Sequence, residues 1–339
     1  MSVVLPVHNA AATVARAVAS IRAQTLREWE LIVIEDGSTD GTREIVRGLA
    51  REDPRITVRE QPQAGVAAAA NAGAAAARGE FIARMDADDE SHPERLAAQV
   101  AFLTDPANRA IGVVGSRVAF GGDRAASAGY ALHVDWVNAL VGPEEISLGR
   151  FVESPLVNPS VMFRRELVAR HGGCRDGDFP EDYELWLRWL DAGVTMAKVP
   201  RVLLTWHDAP TRLTRTDGRY APEAFFRMKA AWIARWLAAE RVETTRRIFA
   251  WGAGRHTRKR VSHLTAHGVT IAGYIDVDAK KTGRGIGGTG LPVIAPDGLP
   301  PPGGIFVLSY VTTRGAREYN RAELVARGYV EGRDFLLCA

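Results

Sequence analysis

Cysteine is nearly absent: the 339 residues contain two, Cys174 and Cys338. Two cannot form a disulfide framework, and such sparse use suits a reducing compartment. No run approaches the roughly 18 apolar residues of a membrane-spanning helix, so none is expected. The amino terminus, Ser2-Val3-Val4-Leu5-Pro6-Val7, lacks the basic start and long apolar stretch of a signal peptide. The chain reads as cytoplasmic. Charge of either sign is not in strong excess: Lys and Arg number 43 against 40 Asp and Glu, a formal +3. That surplus suits anionic substrates or a membrane surface and is too small to imply nucleic acid. What is present is ordinary for a globular protein, 46% hydrophobic and 24% charged, enough for a sizeable core. Length points to two domains.

The densest chemical signal is Arg84-Met85-Asp86-Ala87-Asp88-Asp89, three carboxylates in four residues directly after the apolar run Phe81-Ile82-Ala83. A strand ending in clustered acids cannot continue into a core, because buried unpaired carboxylates are too costly. Hard divalent cations take oxygen ligands, and Mg²⁺ is usually held by one or two carboxylates plus substrate phosphates. One reading is therefore a cation site that receives a diphosphate. The other is a solvated turn with a helix cap, since Asp89 stands shortly before Pro93-Glu94-Arg95-Leu96. The surrounding chain has to decide between them.

Taken in order, β-rich apolar runs predict strands at 2–7, 29–35, 56–59 and 81–85, with helices at 11–24, 42–50 and 65–77 between them and another at 93–103. This alternation predicts an open parallel sheet with right-handed crossovers. Ligands of such sheets sit beyond the carboxyl ends of the strands, where His8, Asn9, Asp36 and the Asp86 cluster all fall. Further strands are expected at 111–119, 158–163 and 199–206, the last followed by His207 and the basic stretch Arg212-Leu213-Thr214-Arg215. Residues 121–154 show little periodicity and read as irregular. Acids open a helix at Pro180-Glu181-Asp182, with Leu185, Trp186 and Trp189 on its apolar side; acids in a first turn are often only dipole partners. A helical pattern at 221–240 mixes Phe225, Phe226, Trp232 and Trp236 with Arg227, Lys229 and Arg235. It reads either as a helix docked between domains or as one lying on anionic lipid.

Val3-Val4-Leu5-Pro6-Val7-His8-Asn9, Ile34-Glu35-Asp36-Gly37-Ser38-Thr39-Asp40-Gly41-Thr42, Asn71-Ala72-Gly73, Arg84-Met85-Asp86-Ala87-Asp88-Asp89 and Pro180-Glu181-Asp182 occur in the order seen in family 2 glycosyltransferases. Residues 1–215 resemble that family. The resemblance implies a GT-A fold, a nucleotide-sugar donor (most commonly a UDP-sugar), a divalent cation (Mn²⁺ or Mg²⁺) and an inverting transfer to a glycan or lipid-linked acceptor, at or near the inner face of the membrane. It implies that Pro6 and Asn9 line the nucleotide pocket, that Asp36 accepts from the base, and that Asp86 approaches the ribose. Asp88 would hold the metal bridging the diphosphate, with Asp89 orienting it and Glu181 beside the catalytic base, Asp182. His207 resembles a histidine that in some members contacts the metal or diphosphate; a surface-loop histidine is the other reading. Many members carry Arg before the Asn of Asn-Ala-Gly, where this chain has Ala70, so Arg84 or Arg212 would have to substitute.

From 246 the pattern restarts: a strand at 248–251, the turn Gly252-Ala253-Gly254, a helix at 258–267, and a strand at 270–275 ending at Asp276. A glycine turn with an acid about 20 residues on marks dinucleotide-binding units, although Thr257 stands in place of the third glycine. Residues 280–290 read as a glycine-rich loop and 305–309 as another strand. The expectation is a GT-A domain at 1–215, a helical connection at 216–245 and a small Rossmann-like α/β domain at 246–339. This last part resembles modules found beside sugar-modifying enzymes. Nucleotide binding, recognition of a partner enzyme and dimerisation are open for it. Two other functions stay in view: an NAD-dependent oxidoreductase run by the C-terminal domain, disfavoured by the broken fingerprint, and a non-catalytic nucleotide-sugar-binding protein, disfavoured by the intact Asp182.

Overall fold

The computed structural model describes residues 1–209, 212–283, 285 and 290–339. The chain forms two compact units, Met1–Ser147 with Ser154–Arg219, and Leu148–Glu153 with Tyr220–Ala339.

The first unit is built on eight strands: β1 Ser2–Val7, β2 Glu30–Asp36, β3 Ile56–Gln61, β4 Phe81–Arg84, β5 Glu90–Ser91, β6 Ile111–Phe120, β7 Met162–Arg164 and β8 Thr195–Trp206. Their order is β3-β2-β1-β4-β7-β6-β8-β5. The first four run parallel, as the alternation predicts; β7 is antiparallel to both β4 and β6. Helices cover both faces, and two apolar clusters form on either side of the sheet's alternating side chains: Val3, Leu5 and Val33 go to one, Val4, Ile32 and Ile34 to the other. The small-residue helix Val66–Ala76 lies unusually close to β1. A Cβ on Gly73 would come 2.3 Å from Val4 Cγ1, so only glycine permits this approach.

Pro6 shapes the edge of the sheet. It sits in a central strand, where proline removes a ladder donor. Its pairing explains the tolerance: β1 meets β4 only through Ser2–Val4, whereas pairing with β2 continues to Val7. Pairing with β4 therefore ends before Pro6, while pairing with β2 carries past it.

Three expectations are corrected. Residues 121–154 are not irregular; they contain the helices Ala128–Ala139 and Pro143–Gly149. The first hid its periodicity because apolar groups surround it: Ala131, Val134 and Val137 are buried, while Tyr130 and His133 pack toward Trp206. The strand expected at 158–163 is a short turn followed by the three residues of β7. The strand expected to begin at 199 begins at Thr195, because a register shift against β6 accommodates Pro200 within it.

The second unit carries β9 Arg247–Trp251, β10 Ile271–Ile275, β11 Val293–Ile294, β12 Ile305–Ser309 and β13 Phe335–Leu337, all parallel in the order β11-β10-β9-β12-β13. The helix Pro222–Ala239 belongs to this unit. Its stripe of Phe226, Ala230, Ile233 and Leu237 is buried, with Phe226 against Tyr310 and Trp236 against Phe306. Of the glycine-rich loop at 280–290, residues 284 and 286–289 lie outside the described residues. Among those described, no helix is long and apolar enough to cross a membrane.

Candidate active site

The carboxyl ends of β1, β2 and β4 share one edge, and the loops leaving them are tied together. Asn9 is left-handed (φ 49°), a conformation asparagine tolerates better than most residues. Its Oδ1 accepts from Thr39 N (2.8 Å), and its own N donates to Ser38 Oγ (3.1 Å). Asp36 is buried, and its carboxylate accepts from Gln61 Nε2 (2.7 Å), Ala64 N and Gly65 N (both 2.8 Å). These bonds fix the loop after β3.

Beyond β4 the acids differ in depth. Asp89 is fully buried; its Oδ1 accepts from His207 N (2.8 Å), and its Oδ2 has no hydrogen-bond partner among the described residues. Asp86 keeps 32% of its side chain exposed and lies 3.5 Å from Arg84 Nη2. Burial pushes its carboxyl up to about 6; Arg84 and Arg212 oppose the shift, while Asp88 and Glu181 add to it. Burial likewise raises Asp89, reinforced by Asp88 and Asp86. Asp182 is raised by burial and by Glu181, against a hydrogen bond from Tyr183 N (2.7 Å), and it also feels Asp86 and Arg84. Asp86, Asp88, Asp89, Glu181 and Asp182 thus occupy one electrostatic neighbourhood, with Arg84 and Arg212 as the facing cations. Arg212 lies 4.0 Å over the Trp206 ring and donates to His207 O (2.6 Å). Ala70 is buried on the helix Val66–Ala76 and offers no charge.

The donor set fits a divalent cation. Hard oxygens crowd together with an excess of negative charge, and one buried carboxylate oxygen is left over. Among the described residues no three His, Cys, Asp or Glu side chains group to enclose an ion unaided. An ion here would draw its remaining oxygens from phosphate and water, the usual habit of Mg²⁺. The ring of His207 is directed elsewhere: its Nε2 pairs with Glu90 Oε1 at 2.7 Å.

Two supports were not anticipated. Arg95 is fully buried beneath the cluster, donating to Arg84 O (2.6 Å), and so holds the end of β4. Burial lowers it to about 10, with Asp89 and Asp86 working to keep it charged. Asn71, noted only as part of a motif, brackets the loop before Asp182: its Nδ2 donates to Cys174 O (2.8 Å) and its Oδ1 accepts from Cys174 N (2.9 Å). From the helix Glu181–Asp191, Arg188 donates to Gly173 O (2.6 Å) and pairs with Glu184. The loop is held from both sides. The signal available for Asn71 was an amide in a helix of alanines, where a polar group needs a partner.

In the second unit Gly252 has φ 106°, and a Cβ there would meet Thr257 Oγ1 at 2.8 Å. Gly254 has open space around it. Asp276 uses its carboxylate on Ala253 N (2.8 Å), Asp278 N (2.9 Å) and Lys281 Nζ (3.1 Å). These contacts hold the glycine turn in place.

EpsE of Bacillus subtilis, a glycosyltransferase by name, is 30% identical over 198 residues, covering 57% of this chain and 67% of its own. The O-antigen biosynthesis glycosyltransferase WbnJ of Escherichia coli is 26% identical over 196 residues, covering 56% and 72%. An uncharacterized glycosyltransferase of Haemophilus influenzae is covered over 64% of its length and TuaG of Bacillus subtilis over 42%. A crystal structure of Staphylococcus aureus TarS residues 1–349 with UDP-GlcNAc superposes with a TM-score of 0.56 at 17% identity, covering 78% of this chain and 70% of that one. That likeness establishes the GT-A fold. The family model described as glycosyl transferase family 2 matches residues 2–172, just over half of the chain, and includes β1, β2, β4 and the whole acid cluster. The chain belongs to glycosyl transferase family 2.

Proposed function

We propose that this protein transfers a sugar, with inversion, from a nucleotide-sugar donor to a glycan or lipid-linked acceptor during cell-surface polysaccharide synthesis. The observation that carries the reading is the convergence of a candidate base, Asp182, with the Asp86–Asp89 acids beyond the carboxyl end of β4. The O-antigen role in WbnJ's name supports the polysaccharide setting.

In this reading the nucleotide enters beyond the ends of β1 and β4, lined by Pro6 and Asn9, with Asp86 toward the ribose; Asp36 would meet the base only with a lone pair left over from its bonds to Gln61, Ala64 and Gly65. A UDP-sugar is the donor favoured. Asp88 would hold a Mn²⁺ or Mg²⁺ ion, and Asp89 would orient it through the backbone of His207. His207 itself would reach the ion only by giving up Glu90. When bound, such an ion supplies positive charge to a departing diphosphate without a proton. Arg84 and Arg212 add to that charge from the protein, in place of a guanidinium at position 70. Asp182 takes the proton of the acceptor hydroxyl on the opposite side of the sugar. Its raised affinity for protons brings it toward the working pH, where a general base contributes most, about 10²–10⁴-fold. One carboxylate suffices, since inversion needs no covalent intermediate.

The C-terminal unit is not needed for this chemistry. Asp276, the residue an NAD-dependent oxidoreductase would use on a ribose, is already hydrogen-bonded within its own turn. A thermal-shift panel of nucleotide sugars, with and without Mn²⁺, tests the proposal. Stabilisation by at least one of them that requires Mn²⁺ is the expected result; none by any of them refutes it.

A further inference from the structure

We propose that a hollow beside the acid cluster, walled by Asp123, Ser127, Asp208 and Arg215, binds a neutral, hydroxyl-rich ring of the acceptor. The assignment rests on the sugar-transfer reading and deepens it by naming the acceptor's chemistry.

Position comes first. The chain leaving β8 is tied to the acid cluster by the bond from His207 N to Asp89 Oδ1. Asp208 is the next residue, its Cα about 3.8 Å further on. The turn after β6 presses against the same two residues. A Cβ on Gly121 would lie 2.7 Å from His207 Nδ1, and one on Gly122 would lie 2.9 Å from Asp208 Cβ. These two glycines let the segment bearing Asp123 and Ser127 close over 207–208. The hollow is therefore fixed beside the candidate reaction centre, within one unit of the fold.

Size and chemistry follow. The volume is about 490 Å³, inside the range of about 300–1,000 Å³ usual for small-molecule sites. Asp208, whose side chain is 5% exposed, is gripped by Arg215 through Nε (3.0 Å) and Nη2 (2.8 and 2.6 Å). Arg215 Nη2 also donates to Ser127 Oγ (3.2 Å), and its guanidinium lies 4.5 Å over the Tyr130 ring. The wall is thus rigid before any ligand arrives. Carboxylate oxygens retain second lone pairs, and the Ser127 hydroxyl, which also bonds Asp208, keeps a lone pair to accept with. Asp123 Oδ1 caps Ala125 N and Ala126 N, while its Oδ2 accepts no hydrogen bond from the described residues. Such a set suits hydroxyl groups, which donate and accept. Two carboxylates against one guanidinium leave the wall net negative, which disfavours a phosphate- or carboxylate-bearing ring.

Saturation-transfer NMR on the full chain with UDP and Mn²⁺ tests this, using methyl glycosides of glucose, galactose, mannose and N-acetylglucosamine as neutral probes and glucuronate and glycerol phosphate as anionic ones. At least one neutral glycoside should bind at millimolar concentration, and Ser127→Phe, which fills the hollow, should weaken it by about tenfold or more, that is by about 1.4 kcal/mol. Asp123→Asn keeps the cap through its Oδ1 and removes one charge, so it should strengthen the anionic probes severalfold. Melting curves check that the variants fold; should Ser127→Phe not fold, Ser127→Val carries the same expectation through loss of the hydroxyl. The proposal is overturned if no neutral glycoside binds, if the anionic probes bind the unmodified chain best, or if the Ser127 variants bind the glycosides unchanged. Calorimetry of nucleotide sugars on the unmodified chain separates the two readings. No donor binding sinks the transferase assignment, whereas donor binding with glycosides indifferent to the hollow sinks only this one.

Discussion

Asn71 offers the sharpest test of how the base is held. Its amide forms a two-way bracket with the backbone of Cys174, 103 residues away, at 2.8 and 2.9 Å. Replacement by alanine deletes both bonds, each worth about 1 kcal/mol net. It also leaves an N–H and a C=O of a half-buried residue to find water, and an orphaned buried group costs about 1–3 kcal/mol. Together these give a loss of at most about 3–5 kcal/mol, tempered because Arg188 still holds the loop from the other side. Asn71→Asp is the more telling variant. It is isosteric and keeps the bond from Cys174 N, but it sets a carboxylate oxygen against the Cys174 carbonyl. It should therefore cost at least as much as alanine. Urea unfolding followed by tryptophan fluorescence is well placed to see this, since Trp189 Nε1 donates to Gly172 O in the same loop (3.1 Å). On the proposed mechanism turnover falls while donor affinity stays constant, because a misplacement of about 1 Å at the reacting groups can cost about 10²-fold. Wild-type stability and turnover in Asn71→Asp would refute the bracket as a positioning device.

Other outcomes follow from the same geometry. Asp88→Ala should abolish the Mn²⁺-dependent part of donor binding, measured by calorimetry with and without the ion; equal affinity in both conditions removes Asp88 as the metal residue. Asp182→Asn should bind donor normally and lose about 10²–10⁴-fold in turnover. Because burial and Glu181 raise Asp182, kcat/KM should fall as pH drops through a point above the ordinary carboxylate range. Glu181→Gln removes a like charge, lowers that point, and should move the acid limb to lower pH; an unmoved limb argues that another group titrates. Gly73→Ala places a methyl 2.3 Å from Val4 Cγ1 and should cost about 1–3 kcal/mol by overpacking, read as a lower urea midpoint with unchanged slope.

The strand ends were legible because the hydrophobic runs stop at Asn9, Asp36 and Asp86, polar groups that a strand core cannot take unpaired. The parallel half of the sheet followed from alternation, and so did the placement of all three at one edge. What escaped was long-range pairing of polar groups. Arg95 and Gln99 look like the polar side of a surface helix, yet both are buried, Gln99 donating to Ser160 O at 2.8 Å. Their partners are backbone carbonyls, which carry no sequence signature. The helix Ala128–Ala139 was hidden for the opposite reason, since rings on one side and aliphatics on another blur the period. His207 was correctly placed at a strand end, but the partner of its ring, Glu90, lies 117 residues away on a two-residue strand that no periodicity could mark.

The six residues Leu148–Glu153 carry a consequence for how the protein is made. They lie in sequence within the transferase unit but pack with the second one. Phe151 is buried there, and the Val152 carbonyl accepts from Lys229 Nζ (3.0 Å), which also donates to Cys338 O (2.7 Å) at the end of the chain. A ribosome adding about 5–20 residues per second releases this segment well before Lys229 and Cys338 exist to receive it. Until residues of the second unit have been made, Phe151 lacks the partners among which it is buried. Cutting the gene after residue 219 would remove the groups that bury Phe151 and bind the Val152 carbonyl.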